Sequence, residues 1–205
     1  MTITQIIVWK AAPDELRIDE VAKAKLAGVQ GVAGIQSSYF GEQHAADLPE
    51  GVKKCVWVNV WDSYDSAANQ LEHIGRLFEQ ERDVQILHAD VKFGSDLEKS
   101  LALPTTEVAV IVPKPGESIK WAEEFQNLRT KFESQGHTTA WGPTFKDTNA
   151  QLALVGWDSR EEHLKVVGGK STDPEDVEIG KIIEVIFRLA EPAGMYHVNL
   201  RQYST

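Results

Sequence analysis

Two stretches of the chain alternate residues that can do chemistry with residues that cannot. In "LHADVKF", residues 87–93, His88, Asp90 and Lys92 share one side of an extended strand, and Leu87, Ala89, Val91 and Phe93 share the other. In "YHVNLRQ", residues 196–202, His197, Asn199 and Arg201 stand opposite Tyr196, Val198 and Leu200. A histidine near a carboxylate can serve as a general base, and a neighbouring amide, lysine or arginine can stabilise an enolate or phenolate. His88 and Asp90 lie about 7 Å apart along one strand, so they do not form a dyad by themselves. Buried polar groups also commonly pair only with one another, which gives both histidines a purely structural reading.

Two further strands add aromatic groups. In "CVWVNVW" (55–61), Val56, Val58 and Val60 form one face and Cys55, Trp57, Asn59 and Trp61 the other. In "QLALVGW" (151–157), Leu152, Leu154 and Gly156 oppose Gln151, Ala153, Val155 and Trp157. The aliphatic faces suit packing against helices. The tryptophan faces and the polar faces of the two histidine strands are then expected to meet between two sheets. Aromatic walls with a few convergent polar groups describe a small-molecule site. The candidate catalytic residues are His88, Asn59, Asp90 and His197. The candidate substrate-binding residues are Trp57, Trp61, Trp157, Asn199, Arg201 and Lys92, joined by Tyr64 and His73 from a helix. His44 reads as a solvated loop residue and His163 as an exposed helix residue. No histidines show H-x-H or H-E-x-x-H spacing and there is no cysteine cluster, so no metal site is expected. The glycines of "GVQGVAG" are not followed by a helix, and neither G-x-S-x-G nor a P-loop occurs, so no cofactor is expected.

The elements that must position these residues are written twice. "NVWDSYDS" (59–66) matches "VGWDSREE" (155–162), "YFGE" (39–42) matches "AWGP" (140–143), and the two histidine strands close the two halves. Each half reads β-α-β-β-α-β. The first begins with "TQIIVWK", followed by a helix opened by Pro13. Its second helix carries Tyr64, Ala67, Ala68, Leu71, Ile74 and Phe78 on one stripe. The second half begins with "TEVAVIV", followed by a helix with Ile119, Ala122, Phe125, Leu128 and Phe132 at helical spacing. Ser159 with Glu162 predicts a capping box, and "GGKSTDPEDVE" (168–178) interrupts the last helix. The expected organisation is a first ferredoxin-like repeat over 1–94, a linker over 95–104 and a second repeat over 105–205. The expected fold is α+β, with two tandem ferredoxin-like repeats forming an intramolecular, pseudo-dimeric α+β barrel.

The totals narrow the function. A 205-residue chain with a formal net charge of −10 lacks the basic face that nucleic-acid or polybasic membrane binding requires. Cys55 is the only cysteine, which fits a reducing compartment. The N-terminus reads as a first strand rather than a signal peptide. No apolar run approaches the ~20 residues that span a bilayer, so a cytoplasmic location is expected.

The tandem repeats, the "VWDS" and "GWDS" strand-to-helix junctions and the "AWG" strand resemble the dimeric α+β barrel superfamily. The branches concerned are the antibiotic-biosynthesis-monooxygenase-like and the stress-responsive A/B-barrel proteins. The likeness covers nearly the whole chain and is to the fused, two-repeat form found among fungal proteins, which implies a monomeric pseudo-dimer or a homodimer. The resemblance implies a cofactor-free enzyme of small-molecule biosynthesis. Its substrate would be a hydrophobic polyketide- or terpenoid-like molecule, and its reaction oxygenation or cyclisation. The alternative is a non-catalytic small-molecule-binding or stress-response barrel. Asn59, Trp57 and Trp61 would hold an oxygenase substrate. Tyr64 and His73 lie where the cyclases of the superfamily work, between sheet and helices.

Overall fold

A computed structural model describes residues 3–11, 18–94, 96–146 and 149–203. The first half comprises β1 (Ile3–Ala11), α1 (Ile18–Ala27), β2 (Ile35–Gln43), β3 (Lys53–Trp61), α2 (Tyr64–Asn69), α3 (Leu71–Arg76), β4 (Arg82–Asp90) and the two-residue β5 (Phe93–Gly94). A short helix, α4 (Leu97–Ala102), leads to the second half. This comprises β6 (Thr105–Pro113), α5 (Ser118–Ser134), β7 (Thr138–Pro143), β8 (Gln151–Trp157), α6 (Arg160–Val167), α7 (Pro174–Leu189) and β9 (Ala190–Tyr203). The expected opening of the first helix at Pro13 lies outside the described residues.

The chain is an α+β fold whose strands form one antiparallel sheet, in the order β4-β1-β3-β2-β9-β6-β8-β7-β5. The order β4-β1-β3-β2 in the first half is repeated as β9-β6-β8-β7 in the second. The halves join twice. Strand β2 pairs with β9, from Ser38 opposite Tyr203 to Gln43 opposite Val198. Strand β5 pairs with β7, and an Ala89–Thr144 bridge ties β4 to the residue after β7. The last strand of each half is therefore shared with the other half.

Register fixes which residues are equivalent. Gln5 lies between Asn59 on β3 and His88 on β4. Glu107 lies between Val155 on β8 and His197 on β9. Helices α2 and α6 start alike: Ser63 and Ser159 each accept a hydrogen bond from the backbone N–H three residues on.

The core has three parts. Ile6, Val8, Val56, Val58 and Val60 pack with Val108, Leu152, Leu154, Tyr196 and Val198, joining both halves across the inner face of the sheet. Under α1–α3 lie Ile7, Trp9, Phe40, Trp57, Trp61, Ile74 and Phe78. Under α5–α7 lie Phe125, Phe132, Trp141, Val155, Trp157, Ile179 and Ile183. The expected assignment of faces is reversed. The aliphatic faces of β3 and β8 meet each other, and the tryptophan faces lie beneath the helices. Alternation divides a strand into two faces but does not say which is inside. Facing strand arrays leave a uniform, narrow gap suited to branched aliphatic side chains. Helices lying obliquely on a twisted sheet leave deeper wedges that accept indole rings.

Two smaller expectations also change. Residues 97–102 of the expected linker form α4, whose Leu101 is fully buried in the inner core. On α5 it is Trp121, not Ile119, that continues the buried stripe; Ile119 is 81% exposed. Among the described residues, no helix is long and apolar enough to cross a membrane.

Candidate active site

The polar residues of the two halves lie under the helices rather than between the sheets, and the two sets differ. In the first half Ser38 donates to Asn59 Oδ1, Asn59 Nδ2 donates to Gln5 Oε1 at 3.0 Å, and Gln5 Nε2 lies 2.8 Å from His88 Nε2. The Trp61 indole N–H also reaches Gln5 Oε1, at 3.4 Å. The Gln5 amide nitrogen can only donate, so His88 Nε2 accepts and the ring proton sits on Nδ1. Burial lowers the pKa of His88, in keeping with this neutral form. His88 and Asn59, the leading sequence candidates, therefore belong to a buried chain of mutually paired groups. Trp57 is enclosed between Phe40 and Phe78 as core.

The equivalent positions of the second half hold a carboxylate and two imidazoles. Glu107 stands where the first half has Gln5, His197 where it has His88, and His163 where it has Ala67. All three are at least nine-tenths buried. His163 Nε2 lies 3.3 Å from Glu107 Oε2, and the His163 and His197 rings are 4.3 Å apart between centroids. The Trp157 ring packs 5.0 Å from that of His163. A loop of the first half completes the group. His197 Nδ1 donates to Asp47 Oδ2 at 2.8 Å, and Arg160 Nε donates to both oxygens of Asp47 at 2.9 and 3.0 Å. The backbone N–H of His44 donates to the carbonyl of His197, and the His44 ring lies 3.2 Å from Thr105 Oγ1. His44 is therefore not a free loop residue, and His163, expected to be exposed, is the most enclosed member of the cluster.

Charge is held in place here. Burial alone would raise the Glu107 pKa. The facing His163, with His197 and the Trp157 indole, outweighs this and holds the carboxyl below its ordinary range. Hydrogen bonds from Arg160, with His197 behind them, depress Asp47 to about 2. Burial and the nearby His163 lower His197, only partly offset by Asp47. Because Asp47 accepts at Nδ1, the lone pair of His197 is on Nε2. That atom, like His163 Nδ1, is buried with no hydrogen-bond partner among the described residues.

The remaining candidates lie apart from this cluster. Asp90 is buried and ion-paired with the half-exposed Lys92. Asn199 and Arg201 are exposed at the far end of β9, where Arg201 pairs with Asp19 at 3.3 Å. His73 Nε2 lies 2.6 Å from the Gly28 carbonyl, pinning α3 to the end of α1. Tyr64 is 40% exposed and stacks on Phe145, with ring centroids 4.1 Å apart, at the rim above His88. Of the sequence candidates, only His197 and Trp157 lie in the second-half cluster. Glu107 and His163 were missed because each reads alone as an ordinary strand or helix residue. The signal that could have found them is the duplication, since aligning the halves places Glu107 on Gln5 and His163 on Ala67.

Glu107 also lines a small pocket of about 40 Å³ between the sheet and helices α5 and α7, walled by Phe125, Phe132, Trp141, Val155 and Ile183. Val167, Ile183 and Phe187 line both this cavity and an adjoining open groove of about 600 Å³ along Gly168, Gly169 and Gly180.

No protein-family model and no curated protein sequence matches the chain. Solved structures do match it in fold. A proposed monooxygenase from Fusobacterium nucleatum superposes with a TM-score of 0.64 at 15% identity, covering 99% of this chain and 93% of the other. An anthrone oxidase-like protein gives 0.60 at 12% identity, with 100% and 94% covered. A chlorite dismutase variant from Candidatus Nitrospira defluvii gives 0.57 at 11% identity, with 97% and 90% covered. At these identities the likeness establishes a shared fold. It defines the class as an α+β architecture common to proposed monooxygenases, anthrone oxidase-like proteins and chlorite dismutases.

Proposed function

We propose that this chain is an oxygenase-like enzyme of the dimeric α+β barrel superfamily, built as an intramolecular pseudo-dimer and acting on a small, largely apolar molecule. The tandem strand order and the two shared seams support the pseudo-dimer. The observation that carries the functional reading is the buried Glu107–His163–His197 cluster, whose carboxylate opens on an apolar, aromatic-walled cavity. The free lone pair on His197 Nε2 is the proton acceptor of this cluster, and the ionised Glu107 stabilises the imidazolium that forms. The substrate gives a proton from an acidic C–H or O–H to the cluster. Its electron pair then forms a C–O bond to dioxygen, and the peroxide anion so made takes the proton back from the cluster as a hydroperoxide. Loss of water from a C–H hydroperoxide leaves a carbonyl.

The cavity volume limits the substrate. Drug-sized sites occupy roughly 300–1,000 Å³, far above the 40 Å³ here. A polyketide-sized molecule would need the walls shared with the groove, Val167, Ile183 and Phe187, to move aside. The test is oxygen uptake with LC–MS on a panel of small phenols and anthrones. A product carrying added oxygen is expected, with turnover falling at least about 100-fold in Glu107→Gln. Absence of any oxygenated product, or equal turnover in the variant, refutes the reading.

A further inference from the structure

We propose that Glu107, His163 and His197 form a binding site for one divalent first-row transition-metal ion. One donor atom from each side chain lies within 4.8 Å of the others, and all three residues are buried. Ligands around such an ion at ~2.1 Å are about 3–3.5 Å apart. Small side-chain rotations therefore close the set. Two imidazoles and one carboxylate form a ligand set used for iron(II) and zinc, and they leave coordination positions open. Glu107 places the open side toward the apolar cavity.

Three observations separate this cluster from an ordinary buried polar group. His197 Nε2 and His163 Nδ1 have no partner among the described residues, although both are enclosed. The other nitrogen of His197 is fixed by Asp47, itself gripped by Arg160. A carboxylate behind a histidine is the usual means of orienting a metal ligand. The first half supplies the internal comparison. At the equivalent positions Gln5, Ala67 and His88 include no carboxylate, and Gln5 and His88 bond to each other. The same framework thus closes a hydrogen-bonded network in one half and leaves lone pairs in the other.

The inference shares its residues with the proposed reaction. Loading would change the cluster from a bare proton acceptor to a ligand set, and binding is measured without substrate. The probe is cobalt(II) chloride, titrated into tag-free, chelator-treated protein and followed by calorimetry and visible ligand-field absorption. One cobalt ion per chain is expected, with affinity falling at least about 100-fold in Glu107→Gln and His197→Ala. Asp47→Asn should weaken binding about 10–100-fold, and His88→Gln should not change it. Near-UV circular dichroism monitors folding. If either ligand variant misfolds, Asp47→Asn decides, and unchanged affinity there overturns the site. No uptake by the wild type, or equal uptake by folded Glu107→Gln and His197→Ala, also overturns it. Cobalt binding without oxygen uptake on any substrate would refute the oxygenase reading alone. Oxygen uptake by a protein that takes up no cobalt would refute the metal site alone.

Discussion

The two seams between the halves rest on two glycines, and replacing either should loosen the whole molecule. Gly41 on β2 and Gly142 on β7 occupy equivalent positions, each where a strand of the other half crosses. A Cβ built on Gly41 would lie 2.1 Å from the Asn199 carbonyl oxygen, and one on Gly142 would lie 1.9 Å from that of Asp90. Ordinary contact begins at 3.4 Å, so the backbones would have to part by about 1.3–1.5 Å. Neither obstacle is a side-chain tip that could swing away. Overpacking of this kind costs about 1–3 kcal/mol, and parting the strands also strains the β2–β9 ladder or the β5–β7 pairing. Gly41→Ala and Gly142→Ala are each expected to destabilise by about 2–3 kcal/mol. For a chain of this size that lowers Tm by about 4–12 °C. Gly75→Ala is the control. Its Cβ would meet nothing within 4 Å, and alanine is favoured over glycine in a helix by roughly 0.5–1 kcal/mol. Urea denaturation and differential scanning calorimetry of the three variants give the answer. A loss below about 0.5 kcal/mol in both seam variants would refute the reasoning that close backbone approach selects glycine there.

Other consequences follow from the site. Asp47→Asn should cost about 1–2 kcal/mol, after discounting for its partial exposure. Because Asp47 titrates at about 2 in the fold against an ordinary 3.8, its contribution is complete above pH 4 and vanishes as pH falls through 2. Urea melts of both proteins from pH 7 to 2 should therefore converge at the acid end. His88 behaves in the same direction but nearer neutrality. Its folded pKa lies below 6.5, so the unfolded chain takes up the proton first and stability falls as pH drops below 6.5. His88→Gln should remove that part of the slope. Ile183→Ala should cost about 2–4 kcal/mol and widen the cavity toward the groove. If Ile183 gates the site, this variant should bind small aromatic probes that the wild type excludes, as read by calorimetry.

The antiparallel pairing came from the structure, but from the sequence alone came the internal similarity, the α+β class with a β-α-β-β-α-β reading of each half, and the period-two faces of the histidine strands. These follow from local signals: alternation, helical spacing, and the Trp-Asp-Ser junctions that place a serine cap after a tryptophan. It also marked "YFGE" and "AWGP" as equivalent, without saying why glycine stands there. The tertiary structure supplied the reason, since a glycine's steric role depends on a strand more than 40 residues distant in the chain. It likewise decided which face of each strand was inward. Valine and tryptophan faces are both apolar, and only the geometry of facing strands against overlying helices tells them apart. Finally, it separated two histidines that alternation had made to look alike. His88 and His197 occupy the same register, but their roles are set by neighbours on other elements. Gln5 satisfies His88, whereas Glu107, His163 and Asp47 surround His197 and leave its Nε2 without a partner.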